Sequence, residues 1–134
     1  MKQISPSSYI GIPFRIGGRD RKGLDCYGLV LDLVEMDTGV RPPDYPSSTD
    51  GVVVQMRMLE ARESWKKVPV PKRGTVVLFR IGRLIRHVGY MLSETRFIHT
   101  WEGVGGVVTE RLDDWKHRVA GFYEYQSEAE AAPS

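Results

Sequence analysis

Five short runs rich in β-branched and aromatic residues follow one another between Thr75 and Tyr125, and they limit the possible folds more than any other feature. They are Thr75 to Arg80, Ile85 to Leu92, Thr95 to Trp101, Val107 to Arg111 and Val119 to Tyr125, separated by glycine or polar turn residues. Connections this short cannot hold the crossover that parallel strands need, so the runs predict an antiparallel meander. A helical turn over Leu112 to Lys116 is expected to interrupt the last two.

Upstream the period changes to that of a helix. Leu24, Tyr27, Val30, Leu31 and Val34 recur at helical spacing, and Leu29 and Leu33 widen the stripe, so a helix from Leu24 to Met36 should be largely buried. Gly39, then Pro42 and Pro43, end it. Arg41 to Ser48 reads as a proline-rich connection, and Ser48, Thr49 and Asp50 are N-cap candidates for a second helix running to about Trp65. Helices first and strands second predict an α+β domain, with N-terminal helices packed on an antiparallel sheet of about five strands. One domain over residues 1–125 and a polar, frayed tail over 126–134 are expected.

A chain of 134 residues can bury a core without disulfides or a structural metal. Its 19 basic and 17 acidic side chains give a net charge of +2, too balanced to suggest nucleic acid as a partner. Arg80, Arg83 and Arg86 read as a solvated strand face, with a surface for an anionic polymer as the sharper alternative. Neither a secretory h-region after Met1 and Lys2 nor an apolar run of membrane-spanning length is present, so no secretory signal and no membrane span are expected.

The single cysteine, Cys26, excludes an intramolecular disulfide and cysteine-rich zinc sites. Its thiol is inert, reactive, or paired with another chain. At the start of a predicted helix, orphan N–H groups and the positive dipole end favour a thiolate, whereas a buried structural thiol is the ordinary alternative. Period two places Ile85, His87, Gly89 and Met91 on one strand face and Phe97, His99 and Trp101 on one face of the next. If those strands pair through a turn near Ser93 and Glu94, His87 and His99 can face the same side, and a helix packed there brings Cys26 to His87. An imidazole beside a thiol removes its proton and later protonates the leaving amine, while a third polar group fixes the imidazole tautomer. Each histidine also has a plain reading: His87 as a polar strand residue beside Arg86, His99 as an aromatic partner of Trp101, and His117 as a surface residue.

The order of these segments resembles the NlpC/P60 cysteine peptidases. The resemblance rests on Tyr9 to Gly18 and on Gly23, Leu24, Asp25, Cys26, Tyr27, Gly28, Leu29, Val30. It continues through Arg73 to Phe79, then His87, Val88, Gly89, Tyr90, Met91, Leu92, and Phe97, Ile98, His99, Thr100, and so spans Tyr9 to Tyr125. It implies a papain-like α+β fold and cleavage of peptidoglycan stem peptides without metal or cofactor. It further implies Cys26 as nucleophile, His87 as general base and acid, and His99 as the group orienting His87. Asp25, Arg19, Asp20 and Trp101 are the expected contacts to the stem peptide. Two positions depart from the family pattern. Tyr27 stands where serine is usual, resembling members encoded with phage tail assembly genes, and Phe14 replaces a tyrosine whose hydroxyl would lie near the thiol.

The resulting expectation is a cell-wall endopeptidase of a phage or phage-like tail, carried to its substrate in the virion tail, made in the host cytoplasm and docked on tail tip or hub proteins. The competing expectations are a catalytically idle structural subunit of the tail and a related papain-like amidase or acyltransferase.

Overall fold

The computed structural model describes residues 5–44 and 65–126. A 3-10 helix over Pro6–Tyr9 leads to two short paired strands, β1 (Arg19–Asp20) and β2 (Gly23–Leu24), and then to α1 (Cys26–Thr38). Strands β3 (Trp65–Val68), β4 (Val76–Ile81), β5 (Leu84–Met91), β6 (Arg96–His99) and β7 (Val108–Arg111) follow. A second 3-10 helix over Leu112–Arg118 then precedes β8 (Val119–Tyr125).

Helix α1 starts two residues later than its apolar stripe, because Leu24 belongs to β2 and Asp25 is the N-cap. It ends where expected, at Gly39, whose φ of 79° is the left-handed conformation that glycine adopts without strain. Tyr27, Leu29, Val30, Leu31, Leu33 and Val34 are all buried. Each fully buried leucine contributes roughly 2 kcal/mol of transfer free energy.

The expected meander is found in β4 to β7, and β8 departs from it. Among the described residues the sheet has six strands in the order β3-β8-β4-β5-β6-β7, with every neighbouring pair antiparallel. Strand β8 returns past the meander to pair with β4, because the 3-10 helix carries the chain back across the sheet and packs on β4 and β7. Strand β3 was not anticipated. Trp65, the expected end of a second helix, instead pairs with Tyr125 as the first residue of that strand; the rest of the expected helix and the tail after Gln126 lie outside the described residues.

The sheet separates two apolar clusters. On one face α1 packs against Val76, Leu78, Val88, Tyr90 and Ile98; on the other, Val77, Phe79, Met91 and Phe97 pack with Trp115 of the second 3-10 helix. A register shift in the β4–β5 pairing, from Phe79↔His87 to Arg80↔Ile85, leaves Arg86 as a bulge residue. Ile85 therefore turns to the α1 side and does not share the face of His87, contrary to strict alternation. The segment before β1 is tied to the loop after β6. Gly11 N–H donates to Val107 O at 3.0 Å, Phe14 N–H to Gly105 O at 3.0 Å, and Val107 N–H to Ile12 O at 2.9 Å.

Candidate active site

Asp25 fixes the start of α1, and thereby the position of the residue after it. Its Oδ1 accepts the Gly28 N–H at 2.7 Å and Arg19 Nη1 at 2.6 Å, while Oδ2 accepts the Gly17 N–H at 3.2 Å. Arg19 also donates from Nη1 to the Gly18 carbonyl at 2.8 Å and from Nε to Asp44 at 3.1 Å. Arg19 and Asp25, both expected substrate contacts, are thus brought together, and these bonds are internal to the chain. Asp20, the exposed last residue of β1, accepts the N–H of Lys22 in the following turn through Oδ1 at 2.9 Å.

Cys26, the first residue of α1, is half-buried and meets β5 at the end of a ladder. Met91 N–H donates towards β4, to Thr75 O at 2.7 Å, so by alternation the Val88 N–H points towards β6. Pairing between β5 and β6 covers only Tyr90↔Ile98 and Met91↔Phe97 and stops short of Val88. The Val88 N–H is left without a strand partner there and favours the thiolate form of Cys26. Contrary to expectation, α1 packs on the sheet face opposite the His87 ring, and Cys26 comes to the sheet at the N-terminal end of α1 beside Val88, the residue adjoining His87.

Burial pushes the Cys26 thiol up to about 12 and the Asp25 carboxylate adds to the effect, while N–H groups of Val88, Tyr27 and Cys26 itself pull the other way. The stabilisation expected from a helix N-terminus is present and is outweighed. At neutral pH the thiol is protonated, so its proton must be removed for sulfur to attack.

The histidines form the other half of the site. His87 Nε2 and His99 Nδ1 are 2.7 Å apart, with both residues buried. Continuing the β5–β6 register puts His87 opposite Trp101 and diagonal to His99. Accordingly the ring centroids of His87 and Trp101 lie 5.3 Å apart, and those of His87 and His99 4.9 Å apart. Phe79 stacks on His87 at 5.6 Å, and Trp115 meets the His99 ring edge-on at 5.1 Å. This aromatic enclosure removes water from both rings. Burial holds His87 well below the ordinary histidine value, with His99 adding to the shift; burial also lowers His99, against an opposing pull from Glu110. Both rings are neutral at pH 7.

Glu110 on β7 was not among the residues expected at the site. Its Oε2 lies 2.5 Å from His99 Nε2, and its Oε1 accepts Trp115 Nε1–H at 3.1 Å. The pairing His99↔Val108 puts Val108 and, two residues on, Glu110 on the His99 face. Period two applied to Val108–Arg111 was the available signal. Trp101 is brought to the His87 side of the site, and its Nε1 is buried with no partner among the described residues. His117 is exposed and accepts from Arg118 Nε at 3.3 Å, away from this arrangement, as its plain reading expected. No cluster of metal-ligating side chains occurs among the described residues.

A protonated thiol beside a strand that carries a neutral imidazole, itself hydrogen-bonded to a second imidazole, is equipped for general-base-assisted acyl transfer. Comparison with known proteins supplies the context. The sequence profile of the NlpC/P60 family matches residues 11–124. Murein DD-endopeptidase MepS/Murein LD-carboxypeptidase of Escherichia coli K12 is 31% identical over 111 residues, which cover 81% of this chain and 53% of that protein. The protein of the same name from Escherichia coli O157:H7 matches equally. The chain thus spans about half the length of the curated relatives it matches. Among solved structures, the NlpC/p60 domain of the peptidoglycan hydrolase SagA superposes with a TM-score of 0.62 at 20% identity, over 90% of this chain and 92% of that one. A NlpC/P60 family protein from Bacillus cereus ATCC 10987 gives a TM-score of 0.65 at 19% identity, over 90% of this chain and 37% of that one. Those two likenesses concern the fold, and the profile match across nearly all of the chain carries the assignment: this chain belongs to the NlpC/P60 family.

Proposed function

We propose that the chain is a peptidoglycan endopeptidase that cuts stem-peptide amide bonds through Cys26, His87 and His99. The observation that carries this reading is the buried His87–His99 pair, 2.7 Å apart, on a strand whose next residue, Val88, acts through its N–H on the Cys26 thiol. His87 takes the thiol proton as sulfur attacks the carbonyl carbon, giving a tetrahedral intermediate whose oxyanion is met by backbone N–H groups at the start of α1. His87 then gives the proton to the leaving amine, and the acyl group remains on sulfur as a thioester. Water, deprotonated by the same imidazole, releases the acid and restores the thiol. Phe14 brings no hydroxyl to this step, so backbone donors carry the oxyanion.

The substrate class is supported by the curated relatives, whose names state murein endopeptidase and carboxypeptidase activities. Asp25, adjoining Cys26, Arg19, bonded to Asp25, Asp20 next to Arg19, and Trp101, 5.3 Å from the His87 ring, are the proposed stem-peptide contacts. Tyr27 supports a phage or phage-like tail as the setting, with tail tip or hub proteins as neighbours. Its ring is buried and its hydroxyl donates to the Pro43 carbonyl at 2.8 Å, so the position where serine is usual here anchors the connection after α1.

Digestion of purified peptidoglycan, followed by mass spectrometry of the released muropeptides, tests the reading. Fragments with a new amino terminus inside the stem are expected from the wild type, and none from Cys26→Ala or His87→Ala. Products of amidase or transferase mass, or undiminished release by Cys26→Ala, would overturn it.

A further inference from the structure

We propose that Glu110 is a positioning residue that sets the tautomers of both buried histidines, leaving His87 Nδ1 as the bare nitrogen of the site. The inference deepens the reading above by adding a residue that the Cys-His-His pattern does not contain. An ionised carboxylate only accepts hydrogen bonds, so at 2.5 Å from Glu110 Oε2 the His99 Nε2 must carry the proton. A neutral His99 then has a bare Nδ1, which can only accept. The atom facing it at 2.7 Å, His87 Nε2, must therefore donate. A neutral His87 with its proton on Nε2 has its lone pair on Nδ1. Each assignment forces the next, and the chain of hydrogen bonds starts at the one group that cannot donate.

Without that anchor the His87–His99 bond can run in either direction. In the reversed state His99 Nδ1–H donates to His87 Nε2, and the proton of His87 sits on Nδ1, where it blocks uptake of the thiol proton. Trp115 secures the anchor, because its Nε1–H holds the second carboxylate oxygen at 3.1 Å. When the thiol S–H bond breaks and its proton moves to His87 Nδ1, the imidazolium charge is felt along the same line, towards the Glu110 carboxylate. No proton needs to reach Glu110. Other charged groups on the packed elements are Asp25, beside Cys26 on the α1 side, and Arg118, 5.3 Å from the Trp115 ring centroid.

The test is the Glu110→Gln variant, which keeps shape and can accept or donate at the same place. The chain has 3 histidines, so nitrogen-15 spectra of the labelled imidazoles resolve each tautomer directly. In the wild type, His99 and His87 should each show a protonated Nε2 and a bare Nδ1; in Glu110→Gln both should become tautomer mixtures. On peptidoglycan fragments, kcat should fall roughly 10- to 100-fold with KM within about twofold. The acid limb of the kcat profile should also move to lower pH, because a negative charge that favours the imidazolium has been removed. Glu110→Asp, which restores the charge, should recover single tautomers and the wild-type limb. A wild-type His99 protonated on Nδ1 overturns the proposal, as do unchanged single tautomers in Glu110→Gln. The spectra decide this whether or not the wild type cleaves peptidoglycan, so failure of the substrate assignment is distinguishable. If Glu110→Gln does not fold, the wild-type and Glu110→Asp tautomers still decide.

Discussion

Gly28→Ala opposes a general helix rule to a specific contact. Gly28 lies in the first turn of α1, and replacing a helical glycine by alanine normally stabilises by about 1 kcal/mol. Here a Cβ would lie 2.4 Å from the Gly18 carbonyl oxygen, 3.0 Å from Arg19 Nη1 and 3.2 Å from Asp25 Oδ1. The closest atom is backbone, so no rotamer change relieves the clash. That carbonyl accepts Arg19 Nη1 and the Asp25 N–H, so displacing it disturbs the groups that hold the start of α1. Overpacking costs about 1–3 kcal/mol, and losing a charge-assisted hydrogen bond at this partly buried arginine about 1–2 kcal/mol more. Against the propensity gain, the net loss is about 1–4 kcal/mol, or roughly 4–15 °C in Tm for a domain of this size. Urea and thermal unfolding followed by circular dichroism read it directly. Unchanged or raised stability would refute the close seating of α1 on Gly18, and with it the account of how Cys26 is placed.

Other consequences follow from the buried site. Because the folded state lowers His87 and His99, the unfolded chain takes up protons first as pH falls below about 6.5. Their contribution is fully present above that value and is lost below it, at up to about 1.4 kcal/mol per pH unit for each ring held neutral. The urea midpoint should fall between pH 7 and 5, and less steeply in His87→Gln; a flat midpoint would contradict neutral burial. Since the thiol is pushed up to about 12, alkylation of Cys26 by iodoacetamide should rise steadily from pH 6 to 10 without levelling off. A rate already level between pH 5 and 8 would instead reveal a resting thiolate–imidazolium pair. Trp115→Ala removes a buried ring that touches His99, Phe79, Phe97 and Trp101, and should cost about 3–5 kcal/mol by denaturant unfolding. A cost below 1 kcal/mol would contradict its place as the centre of that cluster.

The sequence carried local features well and long-range ones poorly. The period of α1, its stop at Gly39 and the extent of β4 to β8 follow from side-chain alternation and turn residues, which act over a few positions. That His87 and His99 meet follows from a hairpin, whose register the intervening turn sets. The pairing of β8 with β4 and β3 depends on where the second 3-10 helix lands, and no local pattern encodes that. The bulge at Arg86 was hidden because one extra residue leaves composition unchanged while shifting the face of Ile85. Asp25, expected from sequence as a substrate contact, also caps α1, a role that a carboxylate just before a helical stripe makes legible. The state of the thiol was the hardest to read: helix position argued for a thiolate, and burial, invisible in one dimension, decides for the protonated form.

Capture of the acyl-enzyme reads the role of Cys26 itself. Purified protein is mixed with defined stem-peptide fragments, quenched in acid within its turnover time, digested and mapped by mass spectrometry. A mass increase equal to the acyl half of the substrate is expected on the peptide containing Cys26, labile to hydroxylamine as a thioester is, and absent from Cys26→Ala. Turnover without any adduct at Cys26, or turnover that persists in Cys26→Ala, would contradict it.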